Sequence, residues 1–152
     1  MRRVFLLFLG LMCGCNQKQI DYVPQKIQLT ADAKMQEMFK EYVEKDNERE
    51  FEKLCGDAIL SYSMETLLYY SILMANKNDS PSAYFYTYMA LTNADSSLLK
   101  SKDIKTQNFA LYNLIKSDEL GYENAEMEIR LYFGKGKSHP NSKYFLMKYL
   151  NK

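Results

Sequence analysis

The stretch METLLYYSILMANKNDSPSAYFYTYMALT, residues 64–92, decides the fold because it contains two consecutive segments that are apolar almost all round. The segments 64–76 and 81–92 predict two helices that are buried on several sides. Ser80 followed by Pro81 is a strong start signal for the second of these helices. The polar turn between them is short, which predicts that the two helices pack antiparallel.

Helices with a single apolar face are predicted on both sides of this central pair. Upstream, apolar residues recur at the three-four spacing of a helix in two runs: Met35, Met38, Phe39, Tyr42 and Val43, then Phe51, Leu54, Cys55, Ala58, Ile59 and Tyr62. Downstream, one helix begins at Asp103 and ends at Gly121, a second ends before Gly134, and Pro140 starts a last helix. No segment alternates as a strand does, so we predict an all-α fold of about seven helices.

A pattern of alanine, aromatic and glycine positions spans residues 110–136. Its members are Ala110, Tyr112, Leu114, Gly121, Ala125, Ile129, Tyr132, Gly134 and Gly136. This pattern resembles one unit of the SEL-type repeats, a branch of the tetratricopeptide-like helical repeats, although Arg130 stands where that family has a small residue. The resemblance implies an α-α superhelix of about three antiparallel helix pairs, a fold that usually binds proteins or peptides. A non-repeat helical bundle is the alternative.

The first residues are typical of an export signal. Two arginines precede an apolar stretch that is too short to span a bilayer, and the stretch ends in Met12-Cys13-Gly14-Cys15. This ending resembles the lipobox of bacterial lipoproteins, with Gly14 as the small residue before the acceptor. The resemblance implies removal of residues 1–14 as a lipoprotein signal peptide and attachment of lipid to Cys15, whose acyl chains, palmitate among them, anchor the protein in the membrane.

The remaining chain is predicted to contain a flexible tether, residues 15–30, and one helical domain, residues 31–152. Loss of the signal leaves 18 basic and 19 acidic residues, so no bulk charge favours nucleic acid as a partner. It also leaves Cys55 as the only unmodified thiol, which excludes an internal disulfide. Cys55 lies on an apolar helix face, so we expect a buried and inert thiol.

The sequence offers no set of residues that predicts catalysis. His139 is the only histidine, and it precedes Pro140 in a predicted loop without a second metal ligand nearby. We therefore predict that the protein is not an enzyme and uses no metal or cofactor.

Two features are candidates for binding a protein or peptide partner. Tyrosines are concentrated on the middle helices, with Tyr70, Tyr84 and Tyr88 as the candidates, although packing in the core is the competing interpretation. Lys135 and Lys137 belong to a basic C-terminal end that could meet an acidic partner or anionic lipid.

These features predict a lipid-anchored interaction module of the bacterial cell envelope that faces the periplasm, at the outer membrane. A narrower hypothesis, by analogy with similar lipoproteins, is an immunity protein against a delivered toxin. The alternatives are an accessory or scaffold subunit of an envelope assembly complex and, more distantly, a cell-wall hydrolase.

Overall fold

The computed structural model describes residues 31–93 and 103–151, and within these ranges the chain forms seven helices and no strand. The predicted all-α fold is confirmed. The helices are α1 (Ala33–Lys45), α2 (Glu48–Leu60), α3 (Met64–Asn78), α4 (Pro81–Asn93), α5 (Ile104–Glu119), α6 (Glu123–Phe133) and α7 (Ser142–Leu150). The lipidation residue Cys15, the signal peptide 1–14 and the tether 15–30 lie outside the described residues.

Short polar side chains begin most of these helices. Asp32 accepts a hydrogen bond of 2.8 Å from the backbone N–H of Met35 at the start of α1, and Asn47, Asp103 and Asn141 cap α2, α5 and α7 in the same way. The last helix therefore begins at Ser142, after its cap Asn141, and not at Pro140 as predicted. Helix α3 runs two residues further than predicted, so Asp79 and Ser80 alone connect it to α4.

The spacing of apolar residues predicts Tyr62 on the apolar face of α2, and that prediction is wrong. Helix α2 ends at Leu60, and Tyr62 follows it with a left-handed φ of 55° and a side chain that is 84% exposed. The N–H of Ser63 bonds to the carbonyl of Ala58 and the N–H of Tyr62 to that of Ile59, which is a Schellman-type helix end. This turn directs the chain away from the helix axis before the next apolar position is reached.

Helices α1 and α3 lie side by side and run parallel. Near their start, the backbone N–H of Ala31 donates a 3.0 Å hydrogen bond to Oγ1 of Thr66. Near their end, the side-chain amide of Asn78 donates a 3.0 Å bond to the carbonyl of Val43. Both pairs are separated by 35 residues in sequence, so the two helices are in register along their whole length.

Helix α4 lies at the centre and packs against α2, α3 and α5. One core cluster fills the space between α1, α2, α3 and α4 around Phe39, Phe51 and Met74, all fully buried. A second cluster joins α4 to the last three helices around Leu114 and Ile115. The predicted burial of the two central segments on several sides is confirmed for α4, since most of its described side chains are buried.

The last helix returns along α5 in the opposite direction. Ser142 at the start of α7 bonds to Glu119 at the end of α5, while Tyr149 packs on Phe109, with ring centroids 4.9 Å apart. The reversal follows Gly134 and Gly136, which have φ values of 93° and 74° that L side chains rarely adopt. In a regular stack of helix pairs, the first helices of successive pairs run parallel, and α5 and α7 would be such helices. Because they run antiparallel, this end of the domain departs from regular stacking. The superhelical arrangement stays a prediction.

Candidate protein-binding site

A groove of about 300 Å³ opens between the C-terminal half of α1 and the middle and C-terminal turns of α3. Its lining residues are Lys40, Val43, Glu44, Tyr69, Tyr70, Leu73 and Lys77. Tyr69 and Leu73, one helical turn apart on α3, are 43% and 37% exposed, whereas Val43 is buried. The groove therefore has an apolar floor and wall that solvent reaches from one side.

The aromatic part of the groove rests on the core. Tyr70 stacks on the fully buried Phe39 with ring centroids 5.1 Å apart and an interplanar angle of 7°. Tyr69 meets the Tyr70 ring edge-on, with centroids 5.0 Å apart. Burial raises the pKa of the Tyr70 hydroxyl above its ordinary value. The exposed Tyr69 ring thus packs edge-on against a ring that itself stacks on the core.

Two lysines and one glutamate border the apolar surface. Neither Lys40 nor Lys77 forms an ion pair with another described residue, while Glu41, on the neighbouring part of α1, is occupied by Lys45 at 2.7 Å. Glu44 is the one acidic side chain in the groove lining. The border consequently carries an excess of positive charge that is not neutralised within the described part of the chain.

The three predicted tyrosines have different positions. Tyr70 contributes to the groove, although only 8% of it is exposed. Tyr84 and Tyr88 are 6% and 3% exposed and bond through their hydroxyls to Asp79 and Glu128, at 3.0 and 3.2 Å. These two residues pack in the core, in agreement with the competing interpretation, and offer little surface to a partner.

Sequence reasoning included Tyr69 among the tyrosines of the middle helices but did not choose it as a candidate, and it missed Leu73. Their four-residue spacing was available as a signal, because it places both on one face of α3. However, α3 is apolar almost all round, and its sequence does not indicate which face remains uncovered. Which face of α3 remains uncovered depends on how far α1 extends across that helix.

Lys135 and Lys137 lie at a second concavity, beside the reversal between α6 and α7. The surface encloses about 440 Å³ and includes Arg130 and His139 from opposite sides of the turn. Arg130 pairs with Glu126 one turn earlier on α6, and the imidazole of His139 packs on Phe133 with centroids 5.3 Å apart. Both predicted lysines are exposed there, but the structure does not unite them with the predicted tyrosines in one site.

The thiol of Cys55 is fully buried, as expected from its position on an apolar helix face. Burial raises the pKa of this thiol well above its usual value, and a contact with the Ser71 hydroxyl lowers it by a smaller amount.

Within residues 31–93 and 103–151, no three histidine, cysteine, aspartate or glutamate side chains converge to form a metal site. None of the helices in those ranges is both long and apolar enough to cross a bilayer.

Comparison with models of known protein families, with curated proteins and with solved structures finds no match to this chain. The residues of the groove and of the lipobox-like ending are therefore the basis for a functional assignment.

Proposed function

We propose that this chain is a lipid-anchored protein of the bacterial cell envelope that binds a partner protein through the groove between α1 and α3. In this proposal it is a binding protein and not an enzyme. The observation that carries the proposal is the pair of exposed apolar side chains, Tyr69 and Leu73, in a groove that also contains the core-stacked Tyr70 ring. Two lysines without ion-pair partners among the described residues border the groove.

The groove fits a protein segment with an apolar anchor and acidic flanks. Its volume is near the lower limit for small-molecule sites, at roughly 300 Å³, but it is open along one side and suits side chains presented from a partner. Tyrosine is enriched among the residues that contribute most to binding energy at interfaces. Carboxylates of the partner would meet Lys40 and Lys77 at the border, where complementary charge speeds association and selects the partner.

The anchor is proposed from the lipobox-like residues Met12–Cys15. Lipid on Cys15 would hold the chain at a membrane facing the periplasm, and the roughly 15 residues that follow it would reach about 50 Å when extended. A domain held within that distance meets membrane-bound partners at a raised effective concentration.

The binding half of the proposal is tested by cross-linking and recovery of partners from the native cells. The double variant Tyr69→Ala/Leu73→Ser removes the exposed apolar groups, and Tyr62→Ala removes an exposed tyrosine outside the groove. We expect recovery of a specific partner to fall by about tenfold or more in the groove variant, since one strong interface residue contributes about 2 kcal/mol, and to stay unchanged in the control. Equal recovery from both variants would overturn the groove as the site.

The anchor half is tested by labelling cells with an alkyne analogue of palmitate. We expect label on the parent chain, loss of label in Cys15→Ser and retention of label in Cys13→Ser, because only Cys15 is the proposed acceptor. Label that persists in Cys15→Ser, or is absent from the parent chain, excludes lipidation at this residue.

A further inference from the structure

Helix α7 exposes a face that mixes apolar and basic side chains. Tyr144, Met147 and Leu150 recur every three residues and are 48%, 49% and 61% exposed. At about 100° per residue, Lys143 and Lys148 lie on the same side of the helix as these three. The opposite side, with Ser142 and Phe145, is buried against the rest of the domain.

Acidic side chains are absent from this face and from the sequence around it. From residue 129 to residue 152 the chain has six basic residues and no aspartate or glutamate. Glu119 contacts α7 on the buried side, where its carboxylate accepts hydrogen bonds from the N–H and the hydroxyl of Ser142. Neither Lys143 nor Lys148 forms an ion pair with a described residue, and Nζ of Lys148 lies 5.7 Å from the centre of the Tyr144 ring.

We propose that the exposed face of α7 lies on the anionic surface of the bilayer to which the chain is anchored. The inference adds a second membrane contact to the proposed function and rests on it for the identity of that bilayer. Apolar side chains enter the headgroup region while lysine ammonium groups remain among the phosphates, and tyrosine is enriched at this depth. Each lysine close to an anionic surface adds about 1 kcal/mol of attraction.

The mixture of side chains favours a bilayer over an acidic protein as the occupant. A protein interface tends to place apolar residues at its centre and charged residues at its rim. On α7 the two kinds alternate along a single short helix, and lysine stems can lie along the apolar surface while their charges reach the phosphates. If Cys15 carries the proposed anchor, the roughly 15 residues between it and the domain would also keep the domain within about 50 Å of lipid headgroups.

The test is hydrogen exchange of the purified full chain with its native N-terminal modification, mixed with vesicles. One set contains phosphatidylcholine alone, and the other contains phosphatidylcholine with the anionic lipid phosphatidylglycerol. We expect the backbone amides of α7 to exchange more slowly only with the anionic vesicles, and molar salt to abolish the difference. Amides of α1 serve as an internal reference and should exchange equally with both.

Two matched double variants separate local from overall charge. In Lys143→Gln/Lys148→Gln, protection of α7 should fall by at least about fivefold, the factor that corresponds to about 1 kcal/mol for one lysine. In Lys34→Gln/Arg49→Gln, two positive charges without ion-pair partners among the described residues are lost from exposed positions on α1 and α2, and protection should stay as in the parent. Equal protection of α7 in the two variants would overturn the proposal.

A photo-crosslinking amino acid in place of Tyr144 identifies the occupant in cells. A phospholipid adduct supports the membrane contact, whereas an adduct to a protein alone, or none, overturns it. The result is separable from the proposed function, since the palmitate label reports the anchor and the Tyr69 variants report the groove. Protection of α7 by anionic vesicles can therefore be absent even if the anchor and the groove are both confirmed. It can equally be present if the anchor or the groove is excluded.

Discussion

The side-chain amide of Asn78 donates a 3.0 Å hydrogen bond to the backbone carbonyl of Val43, which joins the end of α3 to the end of α1. This carbonyl belongs to the last turn of α1, where carbonyl groups lack partners within the helix. Val43 itself lines the groove, as does Lys77 next to Asn78. This polar contact thus joins the two groove walls at the C-terminal ends of α1 and α3.

We expect Asn78→Ala to lower the free energy of unfolding by about 1–3 kcal/mol, because it leaves a partly buried carbonyl without its partner. Chemical denaturation measures the change. Asn108→Ala is the matched control, since the bond from Asn108 to the carbonyl of Ile104 lies within α5 and is exposed to solvent, and its loss should cost less than about 0.5 kcal/mol. Similar losses in both variants would show that the contact between helices adds nothing.

Glu48 is expected to stabilise the start of α4. Its Oε1 accepts hydrogen bonds from the hydroxyls of Ser80 and Ser82, at 2.7 and 2.9 Å, and from the N–H of Ser82 at 3.2 Å. A carboxylate at this position also interacts favourably with the helix dipole. Glu48→Ala should cost about 2–3 kcal/mol and Glu48→Gln about half as much, because the amide retains part of the hydrogen bonding.

Denaturation curves of both Glu48 variants, with exposed Glu37→Ala as the control, measure this contribution. A loss in Glu48→Ala no larger than that in the control would contradict the assigned capping role.

Two glycines should respond to alanine in opposite directions. Gly121 has φ of 88° at the end of α5, so Gly121→Ala forces an L side chain into a left-handed conformation and should cost about 1–2 kcal/mol. Gly56 lies inside α2, where no neighbouring group comes within 4 Å of the point that a Cβ atom would occupy, and Gly56→Ala should stabilise the protein by about 0.5–1 kcal/mol. Thermal melting of the two variants gives the direction of each change in stability. A shift of the melting temperature in the same direction for both would contradict the roles assigned to these two glycines.

Stability should decline in alkaline solution because of four buried or half-buried tyrosines. Burial raises the pKa of Tyr86 to about 12, and it also raises the pKa values of Tyr84, Tyr88 and Tyr122. Unfolded tyrosines titrate near pH 10, so the folded chain binds these protons more tightly. The contribution to stability is complete below about pH 10 and is lost as the pH rises from 10 towards 12.

Urea denaturation at a series of pH values above about 9 should therefore give a falling free energy of unfolding. Tyr86→Phe should reduce the steepness of that fall relative to the parent. An equally steep fall in Tyr86→Phe and the parent would show that Tyr86 does not contribute.

The sequence predicts the helices well because their signals are local. A cap such as Asp32 or Asp103 bonds to an N–H two or three residues away, and a left-handed glycine such as Gly121 ends its helix without help from distant residues. The burial of Cys55 was also predictable, since its helix has one apolar face. Tyr62 was misplaced because a tyrosine occupies the left-handed position that a glycine usually marks.

The sequence by itself determined the helical class, the order of the helices, most of their ends and the basic character of the last one. Only the tertiary structure decided that Tyr69 faces solvent while its neighbour Tyr70 lies on Phe39, and that α7 runs antiparallel to α5. The physical reason is that helix formation depends on contacts a few residues apart. The exposure of one side of an all-round apolar helix depends instead on which other helices pack against it.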